Sequence, residues 1–106
     1  MQPNEYLRQV DTVLARVQRW LEGFDPDELD YSTTDGVITI EFADRTRYVL
    51  NRQTAASQMW LAAGARAWHY SWDAAKSEWL DDRDGHRLLE NVARVVSTKL
   101  GRDVKL

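Results

Sequence analysis

Apolar residues at Tyr6, Val10, Val13, Leu14, Val17 and Leu21, with Phe24 beyond them, recur at steps of three and four. That spacing draws one stripe along a helix of about five turns. Proline is tolerated only in a first helical turn, so the pattern predicts a helix from near Pro3 to Leu21 or Glu22. Gly23 and then Asp25-Pro26 are expected to stop it, glycine as the C-terminal cap and proline because it cannot continue the hydrogen-bond ladder.

After the turn signal Asp35-Gly36 the period changes from 3.6 to 2. In VITIEFA, Ile38, Ile40 and Phe42 alternate with Val37, Thr39 and Glu41, which predicts a half-buried strand. RTRYVLN follows a short turn near Asp44 and should pair with it as a hairpin, with YST before Asp35 as an edge strand. SQMWLAA, AWHYSWD and EWLDD supply three more strands, with turns at Gly64 and around Ala74 to Ser77. From His86 to Leu100 the helical period returns, with Leu88, Leu89, Val92, Val95, Val96 and Leu100 as the buried stripe, Asp84 as candidate cap and Gly101 as terminator. The predicted class is α+β: one domain over residues 1–106, a two-layer α-β sandwich with an antiparallel sheet of five to six strands. Both terminal helices pack on one sheet face and the other face is left to water.

The same two-residue period says what that open face carries. Asn51, Gln53, Gln58, Trp60 and His69 fall outward with Thr39 and Glu41, while Met59, Leu61, Tyr70 and Trp72 point to the helices. Trp60 is the anomaly. An exposed indole brings apolar area and one N–H donor to an interface, but a bulge that shifted the phase would place it in the core. Trp20, Trp68, Trp72 and Trp79 read as core, with Trp20 at a helix edge.

Composition narrows the chemistry. With no cysteine, the 106-residue chain cannot use disulfides, thiolate ligands or a cysteine nucleophile. No apolar run approaches the roughly 18 residues of a membrane span, and MQPNEYLRQV has neither signal-peptide nor transit-peptide character. A soluble cytoplasmic protein is expected. The net charge of -3 is uneven: residues 1–44 hold ten carboxylates against three arginines, a balance of -7, and the remainder carries +4. An acidic surface repels nucleic acid and anionic membranes and attracts cations or a basic protein patch.

WLEGFDPDELD concentrates Glu22, Asp25, Asp27, Glu28 and Asp30 at the predicted end of the first helix. Clustered carboxylates can bind hard cations through oxygen; a solvated acidic loop is the plainer reading. Asp11 lies further up the helix among Arg8, Arg16 and Arg19. DDRDG is not a calcium loop, since Leu80 and Asn91 occupy positions that need oxygen ligands. His69 and His86 form no metal-binding pair, and His86 reads as an ordinary surface histidine. There is no nucleophile elbow or glycine-rich phosphate loop, and nothing in the chain reads as an enzyme active site.

GVITIEF, YVLNRQT, SQMWLAA, WHYSW and EWLDDRDG, followed by the closing amphipathic helix, resemble the frataxin family in its bacterial branch over essentially the whole chain. The most specific part is Asn51 and Gln53 followed by Gln58 and Trp60. The resemblance implies an α-β sandwich that binds iron (Fe2+ or Fe3+) weakly at surface carboxylates. It implies a role in iron-sulfur cluster assembly as regulator and iron donor rather than catalyst. Carried over by position, the metal set is Asp11, Glu22, Asp25, Asp27 and Asp30. Glu22, Asp25, Asp27 and Glu28 would meet the cysteine desulfurase (IscS), and Asn51, Gln53, Gln58, Trp60 and His69 the scaffold (IscU). The protein would be a monomer. A ferroxidase, or an iron store built by iron-dependent oligomers, acting through the same acidic ridge is the alternative. Gln18, Arg19, Gly23 and Leu7 depart from the family pattern at positions where relatives carry acids or a histidine, which implies a lower iron capacity.

Overall fold

A computed structural model describes residues 2–106. Helix α1, Pro3–Leu21, begins with proline in its first turn and buries Tyr6, Val10, Val13, Val17 and Leu21 of the stripe read from the spacing, with Leu14 half-buried at its margin. Its end differs from expectation. Glu22 caps it in right-handed conformation, and the Gly23 N–H closes a tight turn onto the Trp20 carbonyl at 3.1 Å. Gly23 has no positive φ. The helix therefore stops by tightening its last turn, and Asp25-Pro26 redirects the chain.

Six strands follow: β1 Leu29–Thr34, β2 Val37–Phe42, β3 Arg47–Gln53, β4 Gln58–Ala63, β5 Arg66–Asp73 and β6 Glu78–Asp81. They form one antiparallel meander in sequence order. Helix α2, Leu88–Leu100, closes the chain and ends at Gly101, whose φ of 73° satisfies the left-handed cap. At Gly36, with φ of +74°, a Cβ would also collide with the Arg52 side chain at 2.7 Å, so this β1–β2 turn requires glycine twice over.

The start of α2 is a correction. Asp84 does not cap the helix. Its carboxylate accepts the His86 N–H at 3.0 Å and the His86 ring Nδ1–H, and Arg87 at the cap position makes no side-chain cap. The reason is local: Arg87 is held extended against Leu80 by a β-bridge, so helical geometry begins only at Leu88.

Both helices cover one sheet face. Ile38, Ile40, Phe42, Leu50, Met59, Leu61, Trp68, Tyr70 and Trp79 are buried beneath them, together with Leu88, Val92, Val95 and Val96 of α2. Trp68 and Trp79 are core residues as expected, whereas Trp72 is half-buried at the core margin. Trp20, also half-buried, donates its indole N–H to the Lys105 carbonyl at 2.7 Å and so holds the C-terminal segment against α1. No helix among the described residues is long and apolar enough to cross a membrane.

Candidate functional site: an acidic helix end and an amide-indole platform

Two surfaces carry the residues singled out from the sequence. The first is the end of α1 and its following loop. Glu22, Asp25 and Asp27 are exposed there, with Asp30 exposed just beyond at the start of β1, and the helix terminus carries the negative end of the macrodipole on its carbonyls. Backbone dipole and side chains thus add to one negative potential. The loop is ordered by its own acids. Asp25 Oδ1 accepts the Asp27 N–H at 2.9 Å, the Asp25 carbonyl accepts the Glu28 N–H at 2.9 Å and the Leu29 N–H at 3.1 Å, and Asp30 Oδ1 accepts the Tyr31 N–H at 2.8 Å. Glu22 accepts the Tyr31 hydroxyl at 3.2 Å.

Two predicted members stand differently. Glu28 is half-buried and takes both ends of the Arg102 guanidinium. This bidentate hydrogen bond holds its carboxyl below the ordinary glutamate range, against a smaller desolvation. Its charge is largely neutralised within the fold. Asp11, on the exposed side of α1, is separated from Glu22 by eleven residues, about 16 Å of helix. It lies instead near Arg52, whose guanidinium is paired with Asp35. The structure gathers Glu22 to Asp30 and leaves Asp11 apart.

The second surface is the open sheet face. Asn51, Trp60 and His69 are direct neighbours across β3, β4 and β5, and Gln53, Gln58 and Ser71 form the adjacent row. Trp60 is therefore outward, with no bulge to turn it in, yet half-buried rather than fully exposed. Its ring stacks on His69 at 4.3 Å between centroids and 16° between planes. Its N–H donates to Gln58 Oε1 at 2.9 Å. Gln58 Nε2 donates to Asp82 Oδ2 and to Ser71 Oγ, and the Ser71 hydroxyl donates to Asp82 Oδ1 at 2.9 Å. Asn51 donates to the Arg52 carbonyl at 2.9 Å. Ser71 and Asp82 were not singled out from the sequence. The strand period between Tyr70 and Trp72 places Ser71 outward, but Asp82 lies just past β6, where no period operates.

Among the described residues, one trio brings candidate metal ligands within 4.8 Å of one another, and it is Asp81, Asp84 and His86 rather than any set from the acidic ridge. Asp81 Oδ1, Asp84 Oδ1 and both His86 ring nitrogens already hold hydrogen bonds. Asp81 Oδ1 accepts the N–H groups of Arg83 and Asp84 at 2.7 and 3.1 Å. Of the His86 ring nitrogens, Nδ1 meets Asp84 and Nε2 meets the Tyr70 hydroxyl at 2.7 Å. His86 is thus no ordinary surface histidine. It is half-buried and clasps the loop before α2 to β5.

The family model described as a frataxin-like domain matches residues 1–102. The chain belongs to the frataxin-like family. Two relatives named iron-sulfur cluster assembly protein CyaY are similar to it: that of Thioalkalivibrio sulfidiphilus, 43% identical over 79 residues and 74% of each chain, and that of Dechloromonas aromatica, 36% identical over 107 residues, 100% of this chain and 99% of its own. Among solved structures, frataxin from Psychromonas ingrahamii superposes with a TM-score of 0.87 at 25% identity, covering 99% of this frataxin-like chain and 97% of its own. The helix, six-strand meander and helix are the frataxin-like arrangement, and the departures at Gly23 and at the α2 start are local details within it.

Proposed function

We propose that this frataxin-like chain acts in iron-sulfur cluster assembly, docking on the cysteine desulfurase through the acidic end of α1 and on the scaffold through the Trp60 platform. In that complex it regulates cluster formation and supplies iron. The observation that carries this reading is the succession of exposed Glu22, Asp25, Asp27 and Asp30 from the C-terminus of α1 to the start of β1, in a chain whose relatives are named for cluster assembly. The donor set is all oxygen, which suits Fe(III) and tolerates Fe(II). Dispersed, solvated carboxylates bind such ions weakly and release them readily, as cargo requires.

A ferroxidase would need carboxylates converging on reacting ions. Among the described residues the one trio of candidate ligands this close together lies away from the ridge, at Asp81, Asp84 and His86. The test is a titration with the desulfurase at low and at 0.15 M salt, where charges separated by more than about 8 Å are largely screened. Asp25→Asn with Asp27→Asn should weaken binding about tenfold at low salt, with a smaller effect at high salt. Affinity indifferent to both salt and substitution would sink the acidic docking.

A further inference from the structure

We infer that Asp82 is a positioning residue for the contact indole: it holds the Gln58 amide in the one orientation that lets Gln58 fix Trp60 against His69. The inference rests on the reading that the platform meets the scaffold, and it gives a role to a residue that the strand period does not reach and to which the resemblance assigns none. The chemistry leaves little choice. An indole N–H is a donor only, so Gln58 must present its oxygen to Trp60; an ionised carboxylate is an acceptor only, so Gln58 must present its NH2 to Asp82. The observed bonds obey both demands, Trp60 Nε1 to Gln58 Oε1 at 2.9 Å and Gln58 Nε2 to Asp82 Oδ2.

The Ser71 hydroxyl closes the ring, receiving from Gln58 Nε2 at 3.2 Å and donating to Asp82 Oδ1 at 2.9 Å. Asp82 is itself anchored, since its backbone N–H donates to the carbonyl of His69 at 3.0 Å, the residue on which Trp60 stacks. The carboxylate therefore reads the position of β5 and transmits it across β4 to the indole. With its N–H already bonded inside the platform, Trp60 offers a partner ring surface rather than a hydrogen-bond donor. An ordered ring surface binds at lower entropic cost than a mobile one.

Asp82→Ala tests this, because it removes both carboxylate oxygens and leaves Gln58 Nε2 only the Ser71 hydroxyl as partner. The Trp60 indole N–H resonance, assigned by its disappearance in Trp60→Phe, should move upfield and exchange with solvent about tenfold faster, and scaffold affinity should fall about fivefold. Asp82→Asn is the conservative rescue: its Oδ1 can still accept from Gln58 while its NH2 donates to Ser71 Oγ. It should keep both signals near the parent although it removes the same charge, which an effect of charge alone would not explain. An indole resonance unmoved by Asp82→Ala, or one that Asp82→Asn displaces as far, overturns the inference. The platform reading fails separately: Trp60→Ala that binds the purified scaffold as tightly as the parent rejects it, while the indole resonance still decides the role of Asp82.

Discussion

Tyr70 places its hydroxyl between His86 Nε2, 2.7 Å away, and the Asn91 side-chain amide, 2.8 Å away, in a part of the core where both Tyr70 and Asn91 are shut off from water. Asn91 is in turn an acceptor for Arg94 through Oδ1. Burial raises the Tyr70 pKa well above the ordinary tyrosine value, so the group stays a neutral hydroxyl. Tyr70→Phe keeps the ring but strands the Asn91 amide, and a buried polar group left without its partner costs about 2 kcal/mol. Urea unfolding should show that loss as a lower midpoint with an unchanged slope. The ring of Tyr70 was legible as core because it falls in phase with Trp68 and Trp72. Its hydroxyl partners were not, because Asn91 and His86 reach it from elements whose docking no local period encodes. Trp60 divides in the same way: period gave its face, while its half-burial comes from His69 on the next strand, a fact of register.

At the scale of elements, the end of α2 is tied to the β2–β3 turn by Lys99, which donates to Asp44 and to Thr46 Oγ1 at 2.6 and 3.1 Å. The Lys99 ammonium, helped by the Thr46 hydroxyl and backbone N–H, holds the Asp44 carboxyl well below the usual carboxylate range. A folded-state value below the unfolded one means that the unfolded chain binds more protons between the two. The pair's contribution is therefore complete above about pH 4 and is lost as pH falls through the depressed value. Asp44 is solvent-exposed, so the effect is modest. Asp44→Asn should melt below the parent at pH 7, and the gap between the two melting temperatures should narrow steadily as pH is lowered below about 4. Lys99 stands in the last turn of α2, where a cation suits the helix end; its partner 55 residues away is visible only once α2 lies on the sheet. The early start assigned to α2 fails for a related reason, since Asp84 looks like a cap until Arg87 is seen paired to Leu80.

Across the whole molecule, the acidic ridge and the platform sit on different parts of the surface. Asp30 lies on β1 and Trp60 on β4, three strands apart in the meander, about 14 Å at ordinary strand spacing. Sites that far apart with no shared partner act independently. On the proposed docking, combining Asp25→Asn and Asp27→Asn with Trp60→Ala should therefore weaken binding to a preassembled desulfurase-scaffold complex by the sum of the separate free-energy losses, within about 0.5 kcal/mol. A larger deviation in calorimetry would mean the two surfaces communicate.

The order of elements also bears on how the chain is made. Each strand pairs with its neighbour in sequence, so the sheet can assemble hairpin by hairpin as it emerges, N-terminal part first. Its apolar face, however, is covered by the first helix and the last, and α2 spans Leu88–Leu100. A ribosome that has not yet released those residues holds a nearly complete sheet with only α1 to shield Met59, Leu61 and Tyr70. The emergence of α2 decides whether that surface meets its own helix or another chain.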